Sequence, residues 1–204
     1  MIYSKVNICN ISLAALGEAP IRDFDENNKR ARMCDIFYEQ VKDYILSKHD
    51  WTFARSFKAL QQLDLPADEI PIGMYVYQIP DDCKTPRNIH PLGHRDMWEI
   101  MADRLFANKE TVSLYYTKRD VPVTLFTDGF ANLVSIALAV RMAPAITQDK
   151  ALTKALYEQY IRERSECWES DANIGNQYRQ YDEDPNNDTF VNPDLVTTVI
   201  HAST

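Results

Sequence analysis

The amino-acid sequence predicts an α+β protein: mainly an α-helical bundle, with a small antiparallel β-sheet in the middle of the chain and an extended C-terminal arm. Apolar residues recur at helical spacing before residue 49 and again after residue 127, which indicates the bundle. Short β-branched and aromatic stretches separated by prolines lie between them, which indicates the sheet. Apolar density falls after Ser170. We therefore expect a helical domain at 1–170 with a β insertion at about 65–126, and the arm at 171–204.

Two amphipathic helices are expected in the first 48 residues. Ser4 can cap the first helix, and Gly17 can end it. Asn27 or Asn28 can cap the second helix, which we expect from residue 29 to residue 48. The second prediction is supported by apolar and aromatic residues that follow the i, i+3, i+4, i+7 pattern: Cys34, Phe37, Tyr38, Val41, Tyr44 and Ile45.

The stretch HDWTFA follows the second helix and contains two large aromatic residues. We expect Trp51 and Phe53 to hold the end of that helix against the sheet, and we predict Phe37 and Tyr44 as further structural anchors. A contact between subunits is the alternative role for this pair. A catalytic pocket is a third possibility that the stretch alone leaves open.

The middle of the chain contains several short stretches that are typical of β-strands. These are MYVYQI, MWEIM from Met97, TVSLYYT from Thr111 and VTLF from Val123. The intervening ADRLFANKE carries turn residues. Together they predict a small, mostly antiparallel sheet.

Helical periodicity returns at Asp128, which can cap a nearly all-apolar and therefore central helix that Pro144 would end. Asp149 can cap a long amphipathic helix that follows. The short connection between the two predicts a helical hairpin. Because residues 171–194 are rich in Asn, Asp, Gln and Pro, they bury little apolar surface and indicate an arm.

The end of the arm, LVTTVI, is β-branched and apolar, so we expect it to add to the sheet edge of a partner. The candidate partner contacts are the apolar and aromatic side chains of the arm: Tyr178, Tyr181, Phe190, Val196, Val199 and Ile200.

The chain carries 30 acidic and 22 basic residues, a formal net charge of −8. A protein that coats nucleic acid needs cations to neutralise phosphates, so that class is disfavoured, whereas a surface past which DNA slides is compatible. No apolar run approaches the roughly 20 residues of a membrane span, and the start MIYSKVNICN lacks the features of a signal peptide. We expect a cytosolic chain whose cysteines, Cys9, Cys34, Cys83 and Cys167, are small hydrophobic residues.

No motif predicts a catalytic, cofactor-binding or metal-ligating residue. GxxxxGK[ST], GxGxxG and GxSxG are all missing from the sequence. His90 and His94, with Asp96, have the spacing of a helical metal site, but Pro91 and Gly93 between them disfavour a helix. Asp81 and Asp82 would point to opposite faces of an extended chain and would therefore not share an acid–base site.

Several stretches occur in an order that resembles one known family: NISLAALGEAPI, HDWTFA, YVYQIPDDC, WEIM, VSLYYTKR and FANLVSIALAVRMAPAIT. Across roughly residues 6–171 the chain resembles the tail tubular protein A family of short-tailed bacteriophages, and LGEAPI, HDWTFA and YQIPDDC are the most specific stretches. The C-terminal arm matches nothing in that family. In that family the residues that meet the portal lie in loops and termini whose sequences vary between phages.

The resemblance implies a structural virion protein without a cofactor. Such a head-to-tail adaptor forms an oligomeric ring of twelve copies between the portal protein and the tail nozzle, tail tubular protein B, and double-stranded DNA passes through its lumen without specific binding. The expected location is the neck of the virion tail, after assembly in the host bacterial cytoplasm, with no membrane partner and no enzymatic activity. The alternatives are a cell-wall-degrading hydrolase at Asp81, Asp82, His90 and His94, or the connector protein of a long-tailed phage.

Overall fold

A computed structural model of the protein describes residues 3–91, 93 and 95–176, without the side chains at positions 67, 175 and 176. The helices of this part are α1 (Lys5–Ala15), α2 (Lys29–Lys48), α3 (Asp128–Ile146) and α4 (Lys150–Asn176). Its strands are β1 (Arg55–Ala59), β2 (Tyr75–Gln78), β3 (Cys83–His90), β4 (Trp98–Met101), β5 (Arg104–Ala107) and β6 (Ser113–Lys118). Short 3₁₀ turns occupy Thr52–Ala54, Ala67–Glu69 and Val123–Leu125.

The strands form two small antiparallel sheets, with the orders β1-β6-β3 and β2-β5-β4. The predicted fold class, α+β with helices around a mid-chain antiparallel β region, is confirmed, although the strands make two sheets rather than one. The chain divides into a helical unit, residues 3–56, 82–86 and 116–172, and a strand unit that contains residues 57–81, 87–115 and, among the described residues, 173–176. Three of the boundaries between the units fall within β1, β3 and β6.

Helix α3 is the centre of the helical unit, and α1 and α2 both pack against it. Its buried side chains lie all around its axis, as the apolar sequence predicts. Among the described residues it alone has the length and hydropathy of a membrane span, a property that it shares with core helices of soluble proteins. The hydroxyl of Ser12 on α1 donates to the carbonyl of Ser135 on α3 at 2.8 Å, which fixes the two helices at one register.

The helix ends follow the local sequence closely. Ser4 accepts from the N–H of Asn7, and Asn28 accepts from the N–H of Ala31 at 2.9 Å, so both predicted caps are confirmed. Gly17 has a φ of 72°, the left-handed conformation that ends a helix. The second helix spans the predicted residues from Lys29 to Lys48.

Two predictions about α3 were wrong. Thr127, not Asp128, is the N-cap, because its hydroxyl accepts from the N–H of Phe130 at 3.2 Å. Pro144 does not end the helix, which continues to Ile146. A proline in the last turn removes only one hydrogen bond, and the N–H of Thr147 donates to Ala143 beyond it at 2.9 Å.

The hairpin of α3 and α4 is confirmed by side-chain contacts that run in opposite directions along the two helices. Asn132 donates to Glu163 at 3.2 Å, and an added Cβ at Gly129 would lie 2.9 Å from the sulfur of Cys167. Asp149 caps α4 as predicted, by accepting from the N–H of Ala151 and Leu152. The helix extends six residues past the predicted boundary at Ser170, so the arm does not begin at residue 171.

The strand predictions were right for three stretches and wrong for two, and two further strands were not predicted. MYVYQI, MWEIM and TVSLYYT supply β2, β4 and β6. VTLF instead forms a 3₁₀ turn, and ADRLFANKE contains β5 as well as the turn at residues 102 and 103. Neither β1 nor β3 was predicted, because their sequences, RSFKA and CKTPRNIH, are rich in polar residues.

Candidate assembly surfaces

An aromatic cluster joins the end of α2 to the start of α3. Trp51 is completely buried, its indole N–H donates to the carbonyl of Ile45 at 3.0 Å, and its ring meets Phe130 edge-on with centroids 4.8 Å apart. Phe53 contacts Phe126 and Phe130 at centroid distances of 5.6 and 4.9 Å. The expectation that Trp51 and Phe53 pack against the sheet was therefore wrong, since their aromatic partners belong to α3 and the residues before it.

The two other predicted anchors, Phe37 and Tyr44, lie beside the buried face of α2. Phe37 is half-buried against the core, but 51% of the Tyr44 surface is exposed, so Tyr44 does not anchor the fold. With about 100° between successive residues, the buried direction is set by Tyr38, Val41 and Ile45, and Tyr44 falls well to one side of it. The Lys48 amine lies 4.9 Å from the Tyr44 ring.

A buried polar cluster holds the C-terminal part of α4 to the segment that follows α2. The Asp171 carboxylate accepts from the hydroxyl of Thr52 at 2.8 Å and from its N–H at 3.1 Å, and it lies 3.2 Å from Nε2 of His49. The His49 ring stacks on Trp168 with centroids 5.6 Å apart, and the Arg164 guanidinium lies 5.0 Å from the Trp168 ring. Position 171 therefore belongs to the folded core.

The charge of Asp171 is stabilised by its neighbours. Burial alone raises the pKa of this carboxyl, but the hydrogen bonds from His49 and Thr52 outweigh burial and hold the pKa below the usual value of 3.8. The sequence did not reveal the cluster, because His49 and Asp171 are separated by 122 positions.

Asp82, one of the residues of the alternative hydrolase site, has structural partners. Asp82 accepts from the Tyr116 hydroxyl at 2.8 Å and lies 3.5 Å from the Lys118 amine. Asp81 is exposed in the turn before β3. Asp82 is part of the helical unit, whereas Asp81 and His90 are both part of the strand unit.

The predicted metal-site spacing also gains no support from the geometry. His90 lies among aromatic rings, with centroids 6.0 Å from Phe57 and 6.4 Å from Tyr115. Asp96 pairs with Lys109, whose contact lowers the pKa of that carboxyl. His94 lies outside the described residues. Within the described ranges no group of three His, Cys, Asp or Glu side chains could hold a metal ion.

The cysteines lie where small hydrophobic residues are expected. Cys9, Cys34 and Cys83 are buried, and Cys167 is half-buried between α4 and α3. Burial raises the pKa of Cys167 to about 11, so its thiol stays protonated at neutral pH.

The strand unit presents an apolar sheet edge at β4. Met97, Ile100 and Met101 are 60, 37 and 41% exposed, and they flank the half-buried Trp98. On the other side of the same sheet, β2 is covered by the segment at residues 61–63. The predicted partner contacts in the arm, Tyr178, Tyr181, Phe190, Val196, Val199 and Ile200, lie outside the described residues.

Comparison of the sequence with models of protein families and with curated proteins gives no match. The resemblance to the tail tubular proteins therefore rests on the order of the stretches described above.

Proposed function

We propose that the protein is a structural virion protein, a head-to-tail adaptor that forms a ring between the portal and the tail nozzle of a short-tailed bacteriophage. Twelve copies would enclose a lumen through which the genome passes. The protein needs no cofactor in this role and acts as part of the virion neck. The connector of a long-tailed phage has the same location and would differ in the partner below it.

The observation that carries the proposal is that residues of the three most specific stretches of the resemblance have structural roles in the fold. In LGEAPI, Gly17 ends α1 and Ile21 is buried, with its backbone N–H and C=O bonded to Asn10 at 2.8 and 2.9 Å. In HDWTFA, Trp51 fills the core, while His49 and Thr52 hold Asp171. In YQIPDDC, Asp82 connects the turn before β3 to Tyr116 of β6.

The surface chemistry also supports assembly rather than catalysis. Asp82 is engaged by Tyr116 and Lys118, and Asp96 pairs with Lys109. Apolar side chains at β4 and tyrosines on the helices, Tyr44 and Tyr157, are exposed. Methionine and aromatic residues are enriched where proteins meet other proteins. A ring uses two different surfaces of each copy, and its closure is set by geometry.

The test is assembly on the portal protein encoded by the same genome. The purified full-length chain is mixed with that portal, and the complex is analysed by native mass spectrometry and by electron-microscopic class averages. We expect a ring of twelve copies on the portal and none on the portal of an unrelated phage. A chain that stays monomeric beside its own portal, or that hydrolyses cell-wall polymer as a single molecule, would contradict the proposal.

A further inference from the structure

The outer edge of β4 carries backbone groups that are available for pairing. The N–H of Asn108 on the β5 side donates to the carbonyl of Met97 at 3.2 Å. Because bonded and non-bonded pairs alternate along antiparallel strands, the polar backbone groups of Glu99 and Met101 face β5, and those of Trp98 and Ile100 face away. In the described part of the chain nothing pairs with the outward groups of Trp98 and Ile100.

The opposite edge of this sheet, at β2, is already paired with residues 61–63. The N–H of Leu63 donates to the carbonyl of Val76 at 2.8 Å, and the N–H of Gln78 donates to the carbonyl of Gln61 at 3.0 Å. Gln62 and Tyr77 also form an isolated bridge. The central strand β5 is paired with β2 on one edge and with β4 on the other, and its Leu105, Phe106 and Ala107 are buried.

Edge strands of soluble proteins are protected by short length, by charged side chains, above all lysine, by proline or by a bulge. The four residues of β4, WEIM, contain neither lysine nor proline, and the one charge is that of Glu99. The exposed side chains of Ile100 and Met101 add apolar area beside the unpaired backbone groups. An added strand would satisfy the backbone groups and bury this area at the same time.

The chain itself contains a segment with matching chemistry. Of the 28 residues after Asn176, six consecutive positions, LVTTVI at 195–200, are uncharged, apolar or β-branched, and free of proline. The 18 residues at 177–194 can span roughly 60 Å when extended, which is enough to reach a neighbouring molecule. The segment is also long enough to cover the four residues of β4.

We propose that residues 195–200 of one copy pair as an additional strand with the β4 edge of the adjacent copy. The inference rests on the proposed function, because the ring places a neighbour beside each copy. Main-chain hydrogen bonds from Trp98 and Ile100 hold the added strand, and Met97, Ile100 and Met101 receive its apolar side chains.

Photo-cross-linking tests the pairing without assuming its register. The variant Ile100→p-benzoylphenylalanine is prepared as the full chain, and ¹⁵N-labelled and unlabelled samples are mixed before assembly on the portal of the same genome. We expect mixed-isotope cross-links from position 100 to residues 195–200. Ile72, which is fully exposed in the same unit but away from β4, is the matched control position, and we expect at least tenfold fewer such links from it. If the substitution at Ile100 impairs folding, the same residue is placed at Met101.

Two arm variants separate a specific pairing from a general proximity of the arm. Val199→Pro removes a backbone donor within the segment, and we expect loss of the cross-links. Asn187→Pro, in the polar part of the arm, should leave them intact.

Three results would overturn the pairing: links only within one isotope, links between the β4 edges of two copies, and links to other parts of the chain. If the ring forms on the portal without links to residues 195–200, the pairing is refuted and the adaptor proposal stands. If no ring forms on the portal, the adaptor proposal fails, and the pairing that rests on it fails with it.

Discussion

At the scale of single residues, Trp51 is the side chain on which the helical unit depends most directly. It is completely buried, contacts Phe130 and Phe53, and satisfies its only polar atom by donating to Ile45. Large aromatic residues contribute to stability through their buried area, and a partner for the indole N–H removes the cost of burying it. The end of α2 is thereby fixed to α3.

Replacement of Trp51 by alanine should lower the free energy of unfolding by about 3–5 kcal/mol, because it leaves a large cavity and an unpaired carbonyl at Ile45. Urea denaturation followed by circular dichroism measures the change. Tyr44→Ala on α2 is the control, and loss of its half-exposed ring should cost less than about 1 kcal/mol. Equal losses in the two variants would contradict the assigned roles.

Asp171→Asn tests the buried polar cluster through its pH dependence. Because the pKa of Asp171 is lower in the folded than in the unfolded protein, the charged carboxylate stabilises the fold above about pH 4, and this contribution is lost as the pH falls further. The variant should be less stable than the wild type by about 1–3 kcal/mol at pH 7, and the difference should shrink below pH 4.

The measurement is the free energy of unfolding in urea between pH 3 and pH 7. The exposed Asp35 on α2 supplies the control, since Asp35→Asn should change stability by less than about 0.5 kcal/mol. A difference for Asp171→Asn that stays constant across this range would show that the charge of the carboxylate is not what stabilises the cluster.

At the scale of elements, the packing of α4 on α3 depends on a close approach at Gly129. A Cβ there would lie 2.9 Å from the Cys167 sulfur, closer than such atoms normally come. One turn further along α4, the hydrogen bonds from Thr52 to Asp171 hold the helix. These two contacts place the C-terminal half of α4 along the core.

A double-mutant cycle tests the approach of the two helices. In the Cys167→Ala background, Gly129→Ala should stabilise the protein by about 0.5–1 kcal/mol through helix propensity. In the wild-type background the clash with the sulfur should cancel or reverse that gain. Thermal and urea unfolding of the four proteins give the coupling energy, and identical effects of Gly129→Ala in both backgrounds would contradict the contact.

Truncation tests where the folded core ends. A chain that ends at Asn176 should retain the stability of the full chain, whereas a chain that ends at Ser170 loses Asp171 and should be destabilised by about 1–3 kcal/mol. Calorimetry on both truncated proteins makes the comparison. If the two truncated proteins were equally stable, the folded core would end at Ser170.

Elements with a strong local signal were predictable from the sequence, and those that depend on distant partners were not. The α2 pattern and its Asn28 cap define that helix locally. The strands β1 and β3 contain RSFKA and CKTPRNIH, whose polar residues are accepted because neighbouring strands supply the hydrogen bonds. Pro144 predicts a helix end, but α3, which packs on two helices, continues to Ile146.

The candidate surfaces divide in the same way. The size and position of Trp51 predict that it is buried. Its aromatic partner on α3, Phe130, is 79 positions further along the chain. The contact of His49 with Asp171 also joins distant positions. Periodicity on one helix could not reveal either pairing.

At the scale of the whole molecule, charge sets how the protein would meet DNA. The formal net charge is −8, and a protein binds duplex DNA without sequence preference only when cations neutralise its phosphates. An acidic surface suits a channel that DNA traverses without being held.

The isolated chain should therefore not retard a short DNA duplex at physiological salt, even at protein concentrations of about 10 μM. Gel retardation or fluorescence anisotropy makes the measurement, and a basic DNA-binding domain serves as the positive control. Binding in the low micromolar range would be inconsistent with passive passage of the genome.

The segment at 61–63 that covers β2 limits what the sheet can accept. Because the β2 edge is occupied, the β2-β5-β4 sheet has one unpaired edge in the described chain, at β4, and can pair with one added strand. By this route each molecule would donate one strand, residues 195–200, and accept one strand at β4. Assembly would therefore have a direction and a fixed one-to-one stoichiometry. A closed circle satisfies every molecule, whereas an open row leaves one donor and one acceptor unused.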